Sequence, residues 1–181
     1  VITGSFIVEE NNHFYNRLFW VNPNGEYLTY NKRHLFSMAG EEKHYTPGHQ
    51  KLIVQYKGWN ICPMICYDLR FPVWIRNNEA YDLLIFIASW PEKRINHWNM
   101  LLPARAIENQ CYIAAVNRTG TDGNGINHTG YSCVIDPQGE IIDQIINVEK
   151  TKVITISYET LKTTRRYMPF LKDMDSFELK L

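Results

Sequence analysis

Apolar and polar positions alternate in the first part of the chain and run together in its middle. Residues 3–10 (TGSFIVEE) and 14–21 (FYNRLFWV) carry the patterning of strands. NPNGE at 22–26 supplies a tight turn, and EYLTYNKRHLF continues as a third strand that runs into a loop. Residues 51–56 (KLIVQY) and 59–66 predict a hairpin across Lys57-Gly58. The period then changes. Residues 72–80 read as a helix that starts at Pro72, a residue suited to a first helical turn. YDLLIFIAS holds a fully apolar run bounded by polar residues, the pattern of a buried strand. Residues 91–110 predict a long helix with Ile95, Trp98, Leu102 and Ala106 at helical spacing, and Pro103 is expected to kink or restart it. CYIAAV is a second buried strand, residues 131–146 a strand pair across DPQGE, and KVITISY a last strand. The tail 159–181 is mixed and charged.

Buried strands alternating with two helices, framed by hairpins, predict an α/β domain over residues 1–181. Two helices are few for so many strands. One sheet face is therefore expected to be covered by helices and the other by something else. The length of 181 residues suits one domain with a sizeable core. Nineteen basic and nineteen acidic residues cancel, which argues against nucleic acid or an anionic membrane as partner. The longest apolar runs, such as LLIFIA at 83–88, are too short to span a bilayer. Val1 is not an initiator residue, so the expectation is a chain processed from, or part of, a longer one. Cys62, Cys66, Cys111 and Cys133 lack CxxC spacing and disulfide-scaffold density, which points to a reduced, cytoplasmic setting. No His–Cys cluster has the spacing of zinc ligands.

Chemistry concentrates where apolar runs break into charge. ICPMICYDLRFP places Cys66 at a strand-to-helix junction, with Asp68 and Arg70 directly after it. A thiol there is either packing or a nucleophile, and a nucleophile needs a positive neighbour or a helix N-terminus to ionise. Cys62, inside the strand, reads as packing. Lys32 ends a strand beside Arg33 and His34; it is either a surface lysine or a cation that steadies an oxyanion. Glu41 and Glu42 precede a Pro-Gly turn and read by default as solvated. Six histidines are present, and none has a spacing that selects it as a partner for Cys66. Asn117 and Arg118 end the CYIAAV strand, the kind of position where α/β sheets bind ligands.

Taken together, YNKRHLF, ICYDLRFP, ARAIENQCYIAAVNRTG and GYSCVIDPQGE resemble the nitrilase superfamily of carbon–nitrogen hydrolases, in order and spacing across nearly the whole chain. KRHLFSMAGEEKHY, ICYDLRFPVW and PFLKDMD look most like its omega-amidase branch, which hydrolyses the terminal amide of 2-oxo acids such as 2-oxoglutaramate. The resemblance implies an α-β-β-α sandwich that associates as a homodimer or larger homo-oligomer through its helical layers. It also implies that this chain lacks the first strands and helices of that domain.

The family's Glu–Lys–Cys triad maps its lysine to Lys32 and its cysteine to Cys66. Its general-base glutamate is expected in a segment before Val1, since neither Glu9 nor Glu10 sits in the motif. An auxiliary glutamate that helps position the lysine and the substrate matches Glu41, with Glu42 as the alternative. The implied oxyanion donors are Lys32 and the backbone N–H of Tyr67. Arg70, Asn117 and Arg118 are candidates for substrate binding. Arg70 has a competing reading in which it pairs with Asp68 or another acid and only braces the turn. The implied mechanism, a cysteine thioester, calls for no metal or organic cofactor. Three rival readings accompany it. One is a superfamily member acting on a nitrile, an N-carbamoyl group or a plain amide. Another is a non-catalytic fragment completed by a partner segment. The last is a cysteine–histidine hydrolase on another fold.

Overall fold

The computed structural model describes residues 1–180. Three strands, β1 (Ile2–Glu10), β2 (His13–Val21) and β3 (Tyr27–Asn31), form one antiparallel sheet in that order. The β1–β2 reversal is made by Asn11 and Asn12, both at positive φ (51° and 60°), a geometry asparagine tolerates better than most residues. The second sheet contains β4 (Val54–Tyr56), β5 (Trp59–Ile65), β6 (Leu83–Ala88), β7 (Tyr112–Asn117), β9 (Asn127–Ile135) and β10 (Ile141–Ile146), ordered β10-β9-β7-β6-β5-β4. A short β8 (Thr119–Thr121) pairs with β9 outside that path. The central strands β5, β6 and β7 run parallel, and the outer pairings are antiparallel. The expected hairpin across Lys57-Gly58 is present, with both residues at positive φ.

The two faces of the second sheet differ. Cys62, Met64, Leu84 and Phe86 are fully buried in one core with Trp98, Leu102 and Ala106 of helix α2 (Ile95–Asn109). Alternate residues of the same strands, Ile61, Leu83 and Ile85, turn the other way and pack with Trp20 of β2. The order is therefore helix, sheet, sheet, and the partner of the second face is the β1–β3 sheet.

Several expectations are corrected. The helix expected at 72–80 is the single turn α1 (Pro72–Ile75). Asn77 ends it: its side chain accepts from Tyr81 N–H and donates to the Tyr81 and Asn109 carbonyls, offering the backbone a non-helical solution. Helix α2 begins at Ile95, after a 3₁₀ turn at Glu92–Arg94, and runs through Pro103 without restarting. KVITISY forms no strand. Residues 151–157 are irregular, Val153 is 96% exposed, and Tyr112 Oη donates to the Ser157 carbonyl at 3.1 Å. The tail contains a helix, α3 (Tyr158–Tyr167), capped by the Ser157 hydroxyl and buried through Leu161 and Thr164. Among the described residues no helix is long and apolar enough to cross a membrane.

Candidate active site

β5 ends at Ile65, and the next residue, Cys66, has φ 41°. A non-glycine residue in this region is costly and persists only where its surroundings fix it. Here they do. Asp68, fully buried two residues on, accepts from Ile65 N–H at 3.1 Å and so folds the turn back on its strand. Tyr30 Oη donates to that same Asp68 oxygen at 2.8 Å, and the other oxygen accepts from His34 N–H (3.0 Å) and His34 Nδ1–H (2.9 Å). Tyr30 and His34 bracket Lys32, while Ile65 and Asp68 bracket Cys66. One carboxylate thus ties the lysine stretch to the cysteine stretch. The arrangement is closed by His34 stacked on Phe71, with ring centroids 3.7 Å apart, and by Trp74 Nε1 donating to Tyr30 Oη. Burial and the Asp68 charge push the Tyr30 hydroxyl well above its ordinary pKa, keeping it a donor.

Lys32 leaves β3 nearly buried, at 2% exposure. Its Nζ donates to Glu41 Oε2 at 2.6 Å, and that oxygen also accepts from Phe36 N–H at 2.7 Å. Glu41 is thus the acid that meets the lysine, while Glu42 on the same turn is exposed. Gly48 fixes the strand end from behind. Its N–H donates to the Lys32 carbonyl at 2.9 Å, and a Cβ at Gly48 would lie 2.1 Å from the Asn31 carbonyl oxygen.

Lys32, Glu41, Cys66, Tyr67 and Arg70 line one cavity of about 460 Å³, together with Asn117 and Arg118. The structure therefore brings all the sequence-nominated residues to one place. Burial pushes the Cys66 thiol above its ordinary pKa, and the Lys32 charge is the largest influence opposing it, followed by the Ser89 N–H hydrogen bond. Burial also pushes up the thiol of Cys62, which is wholly buried, in keeping with packing. Among the described residues no histidine lines the cavity. His34 is held by Asp68, His97 by Arg70 and His128 by Ser89, which removes the cysteine–histidine reading.

Arg70 does not pair with Asp68, correcting the bracing alternative: the four donors to Asp68 are Tyr30, Ile65 and two from His34. Its guanidinium instead lies 4.6 Å from the Trp90 ring centroid and donates to His97 Nδ1 at 3.1 Å. Asn117 reaches the cavity, yet its carboxamide is committed to backbone, accepting from Trp90 N–H and donating to the Trp90 and Gly130 carbonyls. Sequence reasoning passed over Asp68 as the hub and Arg94 as a lining residue. In the sequence Asp68 stands only as a neighbour of Cys66, and Arg94 falls in the run PEKR within the segment 91–110 read as a helix.

Comparison with known proteins agrees with this geometry. The model of the carbon-nitrogen hydrolase family matches residues 1–166. The chain is 46% identical over 180 residues to the omega-amidase YafV of Escherichia coli K12, covering 99% of this chain and 70% of that protein. It is 33% identical over 177 residues to a 2-oxoglutaramate amidase of Bacillus subtilis, covering 96% of this chain and 68% of that one. Among solved structures, XC1258 of Xanthomonas campestris, a CN-hydrolase superfamily protein with an arsenic adduct in its active site, superposes with a TM-score of 0.96 at 44% identity, over 98% of this chain and 70% of that one. The chain belongs to the carbon-nitrogen hydrolase family.

Proposed function

We propose that the chain is an amidase that hydrolyses the terminal amide of a small carboxylate-bearing substrate of the 2-oxoglutaramate kind, through a thioester on Cys66. The observation that carries this is the shared cavity: the Cys66 thiol and the Lys32 ammonium line it together, and the lysine charge favours the thiolate. The named activities of the similar E. coli and B. subtilis proteins support the same reading.

In this reading the Cys66 thiolate attacks the amide carbon. The oxyanion that forms is met by Lys32 and by the Tyr67 backbone N–H; one well-placed donor of this kind lowers a barrier by roughly 3–4 kcal/mol. Glu41 holds the ammonium in place, since its Oε2 is already occupied by Lys32 and the Phe36 N–H. The thiol proton passes to the carboxylate base that the family resemblance implies and from there to the departing ammonia. Water cleaves the thioester, releasing the carboxylate and restoring the thiol. Arg70, unpaired by any acid among the described residues, is free to take the substrate's carboxylate. Arg118 lines the same cavity and adds positive charge at its edge. Four free thiols support a reduced, cytoplasmic setting. Exposed Met100 and Ile107 on α2 support a homodimer joined through the helical layer.

The test is ammonia release from 2-oxoglutaramate, a plain alkylamide and a nitrile, with mass detection of an acyl adduct on Cys66. Turnover of the first with an adduct on that residue is expected. Release only from the nitrile, or an adduct elsewhere, overturns the proposal.

A further inference from the structure

The cavity's charges are unequal in kind. Lys32 is answered by Glu41 at 2.6 Å. Arg70 and Arg94 also line the cavity, and among the described residues neither has a carboxylate within ion-pair distance. Their support is aromatic. Arg94 stands over the Phe36 ring at 5.3 Å, Arg70 over Trp90 at 4.6 Å and Tyr67 at 5.9 Å, and the Phe36 and Tyr67 rings are 4.9 Å apart. An unbroken aromatic platform thus seats both guanidinium groups. The Arg94 turn is pinned separately, by Trp90 Nε1 donating to the Arg94 carbonyl at 2.7 Å.

Two like charges brought together without an acid repel each other, and here the Arg94 charge adds to burial in weakening Arg70's hold on its proton. Such an arrangement is tolerated when an anion is to be received. Aromatic faces hold a guanidinium plane without consuming its in-plane donors, so the fork stays available for oxygen. Arg70 has already given one Nη1 donor to His97. A 2-oxo acid offers three oxygens at one end, two from the carboxylate and one from the adjacent carbonyl, more than the remaining fork of Arg70 can take. Arg118, the third arginine at the cavity, is exposed and lies near Asp122, whose carboxyl is held below the ordinary range first by the Ile126 N–H hydrogen bond and only in small part by the Arg118 charge.

We propose that Arg94 is a specificity-determining residue: with Arg70 it forms a two-guanidinium receptor for the carboxylate-and-oxo end of the substrate, while Lys32 and Cys66 act on the amide at the other end. This rests on the amidase reading above for the choice of a carboxylate over another anion.

The experiment measures protection of Cys66 from iodoacetamide by 2-oxoglutarate and by neutral pentanamide, in the unaltered protein and in Arg94→Gln, Arg94→Lys and Arg94→Glu. Ammonia release from 2-oxoglutaramate is followed in parallel. The unaltered protein is expected to be protected better by the anion. In Arg94→Gln this preference falls roughly 10- to 100-fold, the span of a lost charge-assisted hydrogen bond. Arg94→Lys is expected to fall between the two, and Arg94→Glu to fall furthest. Because the Trp90 bond goes to backbone, these variants keep the turn, and near-unchanged circular dichroism checks that they do. An anion preference that survives Arg94→Gln, or that is absent from the unaltered protein, overturns the inference. Absence of ammonia release with the anion preference and its Arg94 dependence intact overturns the amidase reading alone.

Discussion

The floor and the rim of the cavity are built on opposite plans. On the floor every charge has a partner: Lys32 has Glu41, and Asp68 has four donors from three residues. At the rim, Arg70 and Arg94 rest on aromatic faces with no acid beside them. A group that must hold position during bond-making gains from being over-determined, because reorganisation at that moment adds to the barrier. A group that must accept a ligand gains from being left incomplete. In the reading proposed above, the contrast separates residues that perform chemistry from residues that choose the molecule on which it is performed.

The hardest blow to the floor is Cys66→Ala. Ammonia release is expected to fall by roughly three orders of magnitude or more while the fold persists, checked by a steady-state ammonia assay beside an unfolding curve. Next is Lys32→Met, expected to lower kcat by about 10²–10³-fold, the range of a lost oxyanion donor. It has a second signature. The Lys32 charge favours the thiolate, so its removal moves the alkylation of Cys66 to higher pH; a pH–rate profile that stays in place would detach the lysine from the sulfur. Third comes Asp68→Ala, which strands buried donors from Tyr30, His34 and Ile65. A loss of about 3 kcal/mol in urea unfolding is expected, with kcat falling more than KM rises. The smallest effect belongs to Cys62→Ala. It removes one buried sulfur from the helix-facing core, should cost about 1 kcal/mol by the same unfolding measurement, and should leave ammonia release close to that of the unaltered protein.

Most strands were legible because their patterning is local. Leu83–Ala88 and the hairpin at Lys57-Gly58 needed nothing from the rest of the chain. The failures share a cause: a distant partner decides. Asn77 stops a helix because Asn109 and Tyr81 are waiting for its amide. KVITISY has the composition of a strand but no ladder partner among the described residues, and the following residues gain more by turning helical behind the Ser157 cap. The site divides in the same way. Lys32 and Cys66 could be nominated from resemblance, but the Asp68 contacts that join their stretches cross 34 and 38 positions and leave no spacing to read. Arg94 in PEKR carries no mark of its role, since the ring beneath it, Phe36, lies far away in sequence.

Gly48 is half of a mechanical fit whose other half is the peptide group just before the lysine. There is no slack at that contact, so a single added methyl cannot be absorbed where it is placed; it must push the end of β3 along. The reach of an ammonium group into a cavity is then set by the smallest residue in the protein, one that does not itself line that cavity.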